Sequence, residues 1–159
     1  MSLYNALSKR LPTLLILPAM FMVTISALLP NTTQALTGTE MGCLALNVYH
    51  EARGETRQGQ LAVAAVTLNR VRSSKFPTSV CSVVWQPKQF SWTHTQSSYF
   101  PTDLKSWSQA QEIARTVLDQ KVVANYRNLL FYHSKKVRPF WIKEKRFVAR
   151  VGSHLFYSS

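Results

Sequence analysis

The residues best placed for chemistry lie in one stretch of twelve, VYHEARGETRQG, from Val48 to Gly59. It holds His50, the glutamates Glu51 and Glu55, and the arginines Arg53 and Arg57. Paired carboxylates suit general acid and base work. A histidine beside a glutamate raises the question of a metal. The spacing argues against one: position 54 is glycine, so the HExxH pattern of zinc proteases is absent. The bland reading is a solvated helix end, and these residues alone leave it ahead.

Position separates the two glutamates. Glu51 falls at the C-terminal end of an expected helix. A carboxylate there faces the negative end of the helix dipole. Partial burial would add to that, and both effects raise its pKa. Such a glutamate can hold a proton near neutral pH and deliver it as a general acid. Glu55 follows Gly54, a natural helix stop. The i,i+4 relation fails once the helix ends, so Glu55 is expected to orient or support, with Arg53 and Arg57 near enough to pair with it.

The elements that must position these groups are visible as patterns. Thr37 with Glu40 fits a capping box for a helix through MGCLALNVYHEA. Its Leu44, Val48 and Ala52 form one buried stripe. A second helix is expected from about Gln58 to Arg72. Its centre LAVAAVTL is apolar nearly all round, as a buried central helix would be. TSVCSVVWQ reads as a short helix ending before Pro87, and QFSWTHTQSSYFP as a polar-aromatic loop. Asp103 can cap a helix to about Gln120, with Trp107, Ala110, Ala114, Val117 and Leu118 on one face. NLLFYH and KRFVARVGSHLFY are rich in aromatic and β-branched residues and read as two strands or extended arms. The expected class is α+β, mainly helical, with a small β region near the C-terminus.

The chain has 159 residues, enough for one domain with a real core. Residues 1–35 read as a signal peptide or an N-terminal membrane anchor. Lys9 and Arg10 precede an uncharged run from Leu11 to Pro30, followed by small Thr33 and Ala35. The domain is then 36–159, and the protein is expected in the periplasm or cell envelope. A formal net charge of +12 predicts attraction to polyanions. The export signal and the lack of a known motif disfavour nucleic acid. Export permits a disulfide between Cys43 and Cys81, the only cysteines; two buried thiols are the alternative.

Taken together, the ordered motifs carry a resemblance. A helix closing on EARGE, the helix GQLAVAAVTLNRV, Phe76-Pro77 and the QFSW loop stand in sequence. They resemble the catalytic domain of SleB-type, spore cortex-lytic cell-wall hydrolases. The closing VGSHLFY is similar to that family's H-x-F-Y segment, so the resemblance covers about Leu44 to Tyr157. It implies a lysozyme-like, lytic transglycosylase-type single domain acting on peptidoglycan glycan strands, in wall turnover or lysis. It implies that Glu51 is the catalytic acid and that the loop Gln89, Phe90, Ser91 and Trp92 lines the glycan groove. Tyr126, His154 and Tyr157 are further candidates for substrate contact, with Glu55 and Arg53 orienting. No cofactor or metal is implied, and a monomer is expected. The family is often labelled an N-acetylmuramoyl-L-alanine amidase, which leaves amidase and hydrolysing muramidase as alternatives. A basic wall-binding protein without enzymatic activity is the alternative from another class.

Overall fold

The structure, a computed structural model, describes residues 38–119 and 123–159. The expected signal or anchor segment and Thr37 lie outside the described residues.

Helix α1 (Glu40–Ala52) is capped by Thr39, whose hydroxyl accepts from Gly42 N at 3.0 Å. The cap is therefore Thr39. Glu40 does not close a capping box either; its carboxylate accepts from Val80 N at 2.9 Å and ties α1 to the next short helix. Nine of the thirteen residues of α1 are buried. Helix α2 (Arg57–Val71) starts at Thr56, which accepts from Gly59 N, and is buried continuously from Gly59 to Arg70. This is the central helix that the run LAVAAVTL predicts.

Helix α3 (Val80–Val84) is one short turn capped by Ser79. Cys43 of α1 and Cys81 of α3 are bonded, with their Cα atoms 5.2 Å apart. The segment expected as loop contains another short helix, α4 (Trp92–Thr95). Helix α5 (Leu104–Leu118) is capped by Asp103, which accepts from Lys105 N and Ser106 N. Its buried face is Ala110, Ile113, Ala114 and Val117. The phenolic oxygen of Tyr49 accepts from Thr102 N and Asp103 N, so a buried α1 side chain sets where α5 begins.

The C-terminal part forms three strands where two were expected: β1 (Phe131–Ser134), β2 (Arg146–Val151) and β3 (His154–Ser158). KRFVARVGSHLFY folds back on itself at Gly152, whose φ of +59° is the left-handed turn conformation that glycine adopts without strain. The sheet is antiparallel with order β1-β3-β2, and its register shifts between Phe147 and Ala149. Phe156 carries the sheet into a core with Ala52, Ala62, Val63, Val66 and Leu129. Asn69 donates to Tyr126 O and Leu129 O, which lashes the approach to β1 onto α2.

Candidate active site

Glu51 sits in the last turn of α1. Its Oε2 accepts from the hydroxyl of Tyr132 at 3.1 Å, a contact across 81 residues. Burial pushes the Glu51 carboxyl up from its ordinary range; the Tyr132 hydrogen bond and the Arg70 charge oppose this only in part. Burial also holds the Tyr132 phenol well above its ordinary value, with Glu51 adding to the rise. Tyr132 is therefore a proton-bearing donor across the whole working range.

Arg70 completes this end of the site. It is 3 % exposed, and its Nε donates to Leu130 O at 2.8 Å. Its guanidinium lies 5.2 to 6.0 Å from the ring centroids of Phe76, Phe90 and Phe131. Aromatic faces are favourable neighbours for a cation. Burial lowers its pKa to about 10, which leaves it charged at neutral pH.

The helix end is braced on its other side by His50. Its ring stacks on Trp92 at 4.4 Å between centroids. Its Nε2 meets Tyr99 O at 3.2 Å and its Nδ1 meets the amide of Gln96 at 3.4 Å. That pattern suits a neutral imidazole donating from Nε2 and accepting at Nδ1, and burial lowers its pKa in agreement. Trp92 in turn donates to Asn47 Oδ1, and Asn47 donates to Thr67. A buried polar chain therefore locks the loop to α1 and α2.

Of the groove loop, Ser91 is exposed and Gln89 half-buried, while Phe90 and Trp92 are 4 % and 3 % exposed. The two rings are packed in the core and are not open stacking platforms. Tyr126 packs partly buried against both core clusters. Tyr157 is 7 % exposed, and its hydroxyl meets His133 Nε2 at 3.0 Å. Its ring is spent on the sheet's own aromatic packing.

Glu55 and Glu51 are kept apart. Glu55 accepts from the backbone N of Ser153 at 3.0 Å and from the Ser153 hydroxyl, and His154 Nδ1 lies 3.6 Å away. Burial works to raise the Glu55 pKa, but the Ser153 hydrogen bonds and the His154 and Lys135 charges outweigh it and hold it low. The expected arginine pairing does not form. Arg57 pairs with Glu112 at 2.9 Å, and Arg53 lies over the Tyr49 ring. The pairing fails because Arg57 begins α2 and faces α5 across the helix packing. His154 approaches Glu55 and the edge of Tyr132, with ring centroids 5.3 Å apart, so it reaches Glu51 only through Tyr132.

Two members of this site escape a reading of the sequence. Tyr132 looks like one more aromatic of a strand, and Arg70 like the polar end of a helix. Only the alternation along Phe131-Tyr132-His133 hints that Tyr132 turns toward the helices.

The family model described as Cell Wall Hydrolase matches residues 54–157. The chain belongs to the cell wall hydrolase family. The match begins three residues after Glu51, so the carboxyl at the centre of the site lies just outside it. Relatives include the spore cortex-lytic enzyme of Bacillus subtilis, 30 % identical over 133 residues covering 82 % of this chain and 41 % of the relative. That of Oceanobacillus iheyensis is 29 % identical, over 79 % of this chain and 44 % of the relative. The chain thus spans less than half the length of these relatives. Among solved structures, the catalytic domain of the germination-specific lytic transglycosylase SleB from Bacillus anthracis superposes with a TM-score of 0.64 at 29 % identity. It covers 75 % of this chain and 93 % of that one. The Bacillus cereus SleB catalytic domain gives a TM-score of 0.60 at 28 % identity, over 75 % and 89 % of the two chains. The mainly helical α+β fold with a small C-terminal sheet is the fold of those domains.

Proposed function

We propose that this protein cleaves the MurNAc–GlcNAc bond of peptidoglycan as a lytic transglycosylase, with Glu51 as its lone general acid and base. One observation carries the reading: a partly buried helix-end carboxyl held by the Tyr132 hydroxyl, with no second carboxylate beside it. The chain has seven acids, and the other six have other places. Glu40 holds Val80 N, Glu55 holds Ser153, Asp103 caps α5 and Glu112 pairs with Arg57. Asp119 stands at the C-terminal end of α5, and Glu144 in the short 3-10 turn Phe140–Glu144. Glycosidases that activate water commonly use two carboxylates. A transglycosylase needs one.

Protonated Glu51 gives its proton to the glycosidic oxygen as the bond to MurNAc C1 breaks. Tyr132 occupies Oε2, so the other oxygen is the one free to carry that proton. The carboxylate left behind is stabilised by the Tyr132 hydroxyl and the Arg70 charge. It then takes the proton of the MurNAc 6-hydroxyl as that oxygen bonds to C1. The product is a 1,6-anhydro sugar, no water is consumed, and Glu51 ends protonated. The attacking hydroxyl is already positioned on the same sugar, which favours it over bulk water. This chemistry belongs in the cell envelope, and the likeness to the Bacillus anthracis SleB domain, described as a lytic transglycosylase, supports it.

Digestion of purified sacculi tests the reading. Glu51→Gln protein is expected to release soluble muropeptides about a thousandfold more slowly, within the usual range for a lost general acid. Release at the wild-type rate with the fold intact sinks the assignment. Product masses test the reaction class. Anhydro-muropeptides are expected; reducing ends carrying an added water mean a muramidase, and free peptides with bare glycan mean an amidase.

A further inference from the structure

Beyond Glu51 the molecule carries a second, strongly basic groove of about 770 Å³ at the C-terminal end of α2, the end that also supplies Arg70. Three arginines from three separate elements line it: Arg72 at the end of α2, Arg127 before β1, and Arg146 at the start of β2. Asn128 and Ser158 add hydrogen-bonding groups between them, and no Asp or Glu lines it. Among the described residues, none of the three arginines is in an ion pair. Arg146 makes only a long contact from Nε to Ser158 Oγ, 3.4 Å. Lys75 adds a further cation nearby, donating to Ser159 Oγ.

We infer that this groove is an oxyanion subsite that takes the free carboxylates of peptidoglycan stem peptides. The inference rests on the peptidoglycan reading above and extends it to the peptide part of the substrate.

Three arguments support it. The first is chemical. A guanidinium presents a planar fork of donors that matches a carboxylate in pairs, which a lysine ammonium cannot do. The second is positional. On α2, Asn69 lines the groove while the next residue, Arg70, serves the Glu51 site. On the sheet edge, Leu130 lines the groove while Tyr132, two residues along, holds Glu51. Two residues of strand span roughly 7 Å. A stem peptide leaving the sugar at the acid therefore has a short path to the arginines. The third is electrostatic. An unpaired cluster of one sign focuses the field and draws in the opposite charge.

Binding without turnover tests the inference, using cosedimentation of the Glu51→Gln protein with sacculi. Three preparations are compared: native, amidated at the peptide carboxylates with carbodiimide and ammonia, and stripped of phosphate polymers with hydrofluoric acid. Amidation is expected to weaken binding roughly tenfold, the scale of one or two charge-assisted hydrogen bonds. Stripping phosphate is expected to change little. Adding Arg127→Ala and Arg146→Ala should weaken binding to native sacculi by a similar factor, with no further loss on amidated sacculi. Arg127→Lys with Arg146→Lys should recover only part of the loss, because charge returns without the fork. Removing two cations elsewhere, with Lys105→Ala and Arg115→Ala, should cost much less.

Four results would each overturn the inference. The double Arg→Ala protein could bind native sacculi as tightly as its parent. Amidation could leave binding unchanged. The arginine-dependent binding could vanish with the phosphate polymers. The α5 charge variants could lose as much as the groove variants. Because Glu51→Gln protein binds without cleaving, these outcomes do not depend on which bond the wild type cuts, and product masses alone test that.

Discussion

The hydroxyl of Tyr132 lies 3.1 Å from Oε2 of Glu51, joining the middle of β1 to the last turn of α1. This contact fixes the carboxyl of a helix-end glutamate in place. It occupies one carboxyl oxygen, and in the proposed reaction the other carries the reacting proton. It also lowers the Glu51 pKa against the larger upward effect of burial.

Tyr132→Phe keeps the ring and removes the donor. Glu51 then loses a hydrogen bond made to its charged form, so its pKa rises further. The limb of the pH–rate profile on which Glu51 loses its proton should move to higher pH. The maximal rate should fall roughly tenfold, the scale of a hydrogen bond to a charged group. Muropeptide release measured across pH checks both. An unshifted limb would show that the phenol does not act through Glu51.

Glu51 should also be a stability liability. Its folded pKa is raised above the ordinary 4.5. The folded state therefore holds the proton more tightly than the unfolded chain, and stability is lost as pH rises from 4.5 through the folded value. Glu51→Gln removes that loss. The variant should melt higher than wild type at pH 7, and the difference should vanish below about pH 4.5. Thermal melts over a pH series read this directly.

Glu55 works in the opposite sense. Its folded pKa is held below 4.5, so its contribution is complete above that value and is lost as pH falls through the folded value. Burial likewise lowers the His154 pKa below its ordinary 6.5, against the opposing pull of Glu55. The contributions of these two groups should therefore be lost on acidification in two steps, His154 below 6.5 and Glu55 below 4.5, opposite in sign to that of Glu51. Glu55→Gln should remove the second step in urea melts. Gly152→Ala should destabilise at every pH by about 2 kcal/mol or more, the scale of a strained backbone position. The new Cβ would overlap the Glu55 carboxylate at a backbone angle that favours glycine.

The Cys43–Cys81 bond closes a loop of 38 residues between α1 and α3. On the chain-entropy model such a closure is worth about 4 kcal/mol. Reduction, or a Cys43→Ser and Cys81→Ser double variant, should lower the melting temperature by many degrees. Activity at low temperature should persist, because neither cysteine touches Glu51. Calorimetry with and without reductant tests this.

Much of the scaffold was legible in the chain itself. The run LAVAAVTL is apolar on every face, and only a central buried helix can absorb that. Asp103 announces a helix start because its side chain satisfies backbone donors that have no other partner. Glu51 was legible as a helix-end carboxyl, since helix position and dipole direction are local properties. The cap at Thr39 was missed because two threonines precede Glu40, and tertiary contact diverted Glu40 to Val80.

The partners of Glu51 were not legible in the same way. Tyr132 and Arg70 reach the acid and its surroundings only because β1 docks beside α1 and α2, and that docking depends on contacts 60 or more residues apart. Glu55 belonged by sequence with Arg53 and Arg57. The turn at Gly152 brought Ser153 and His154 to it instead. The basic groove likewise gathers arginines from three elements. Local patterns follow from spacing and side-chain chemistry, and these the sequence by itself determined. Which side chains meet across the fold depends on long-range packing, and only the tertiary structure decided it.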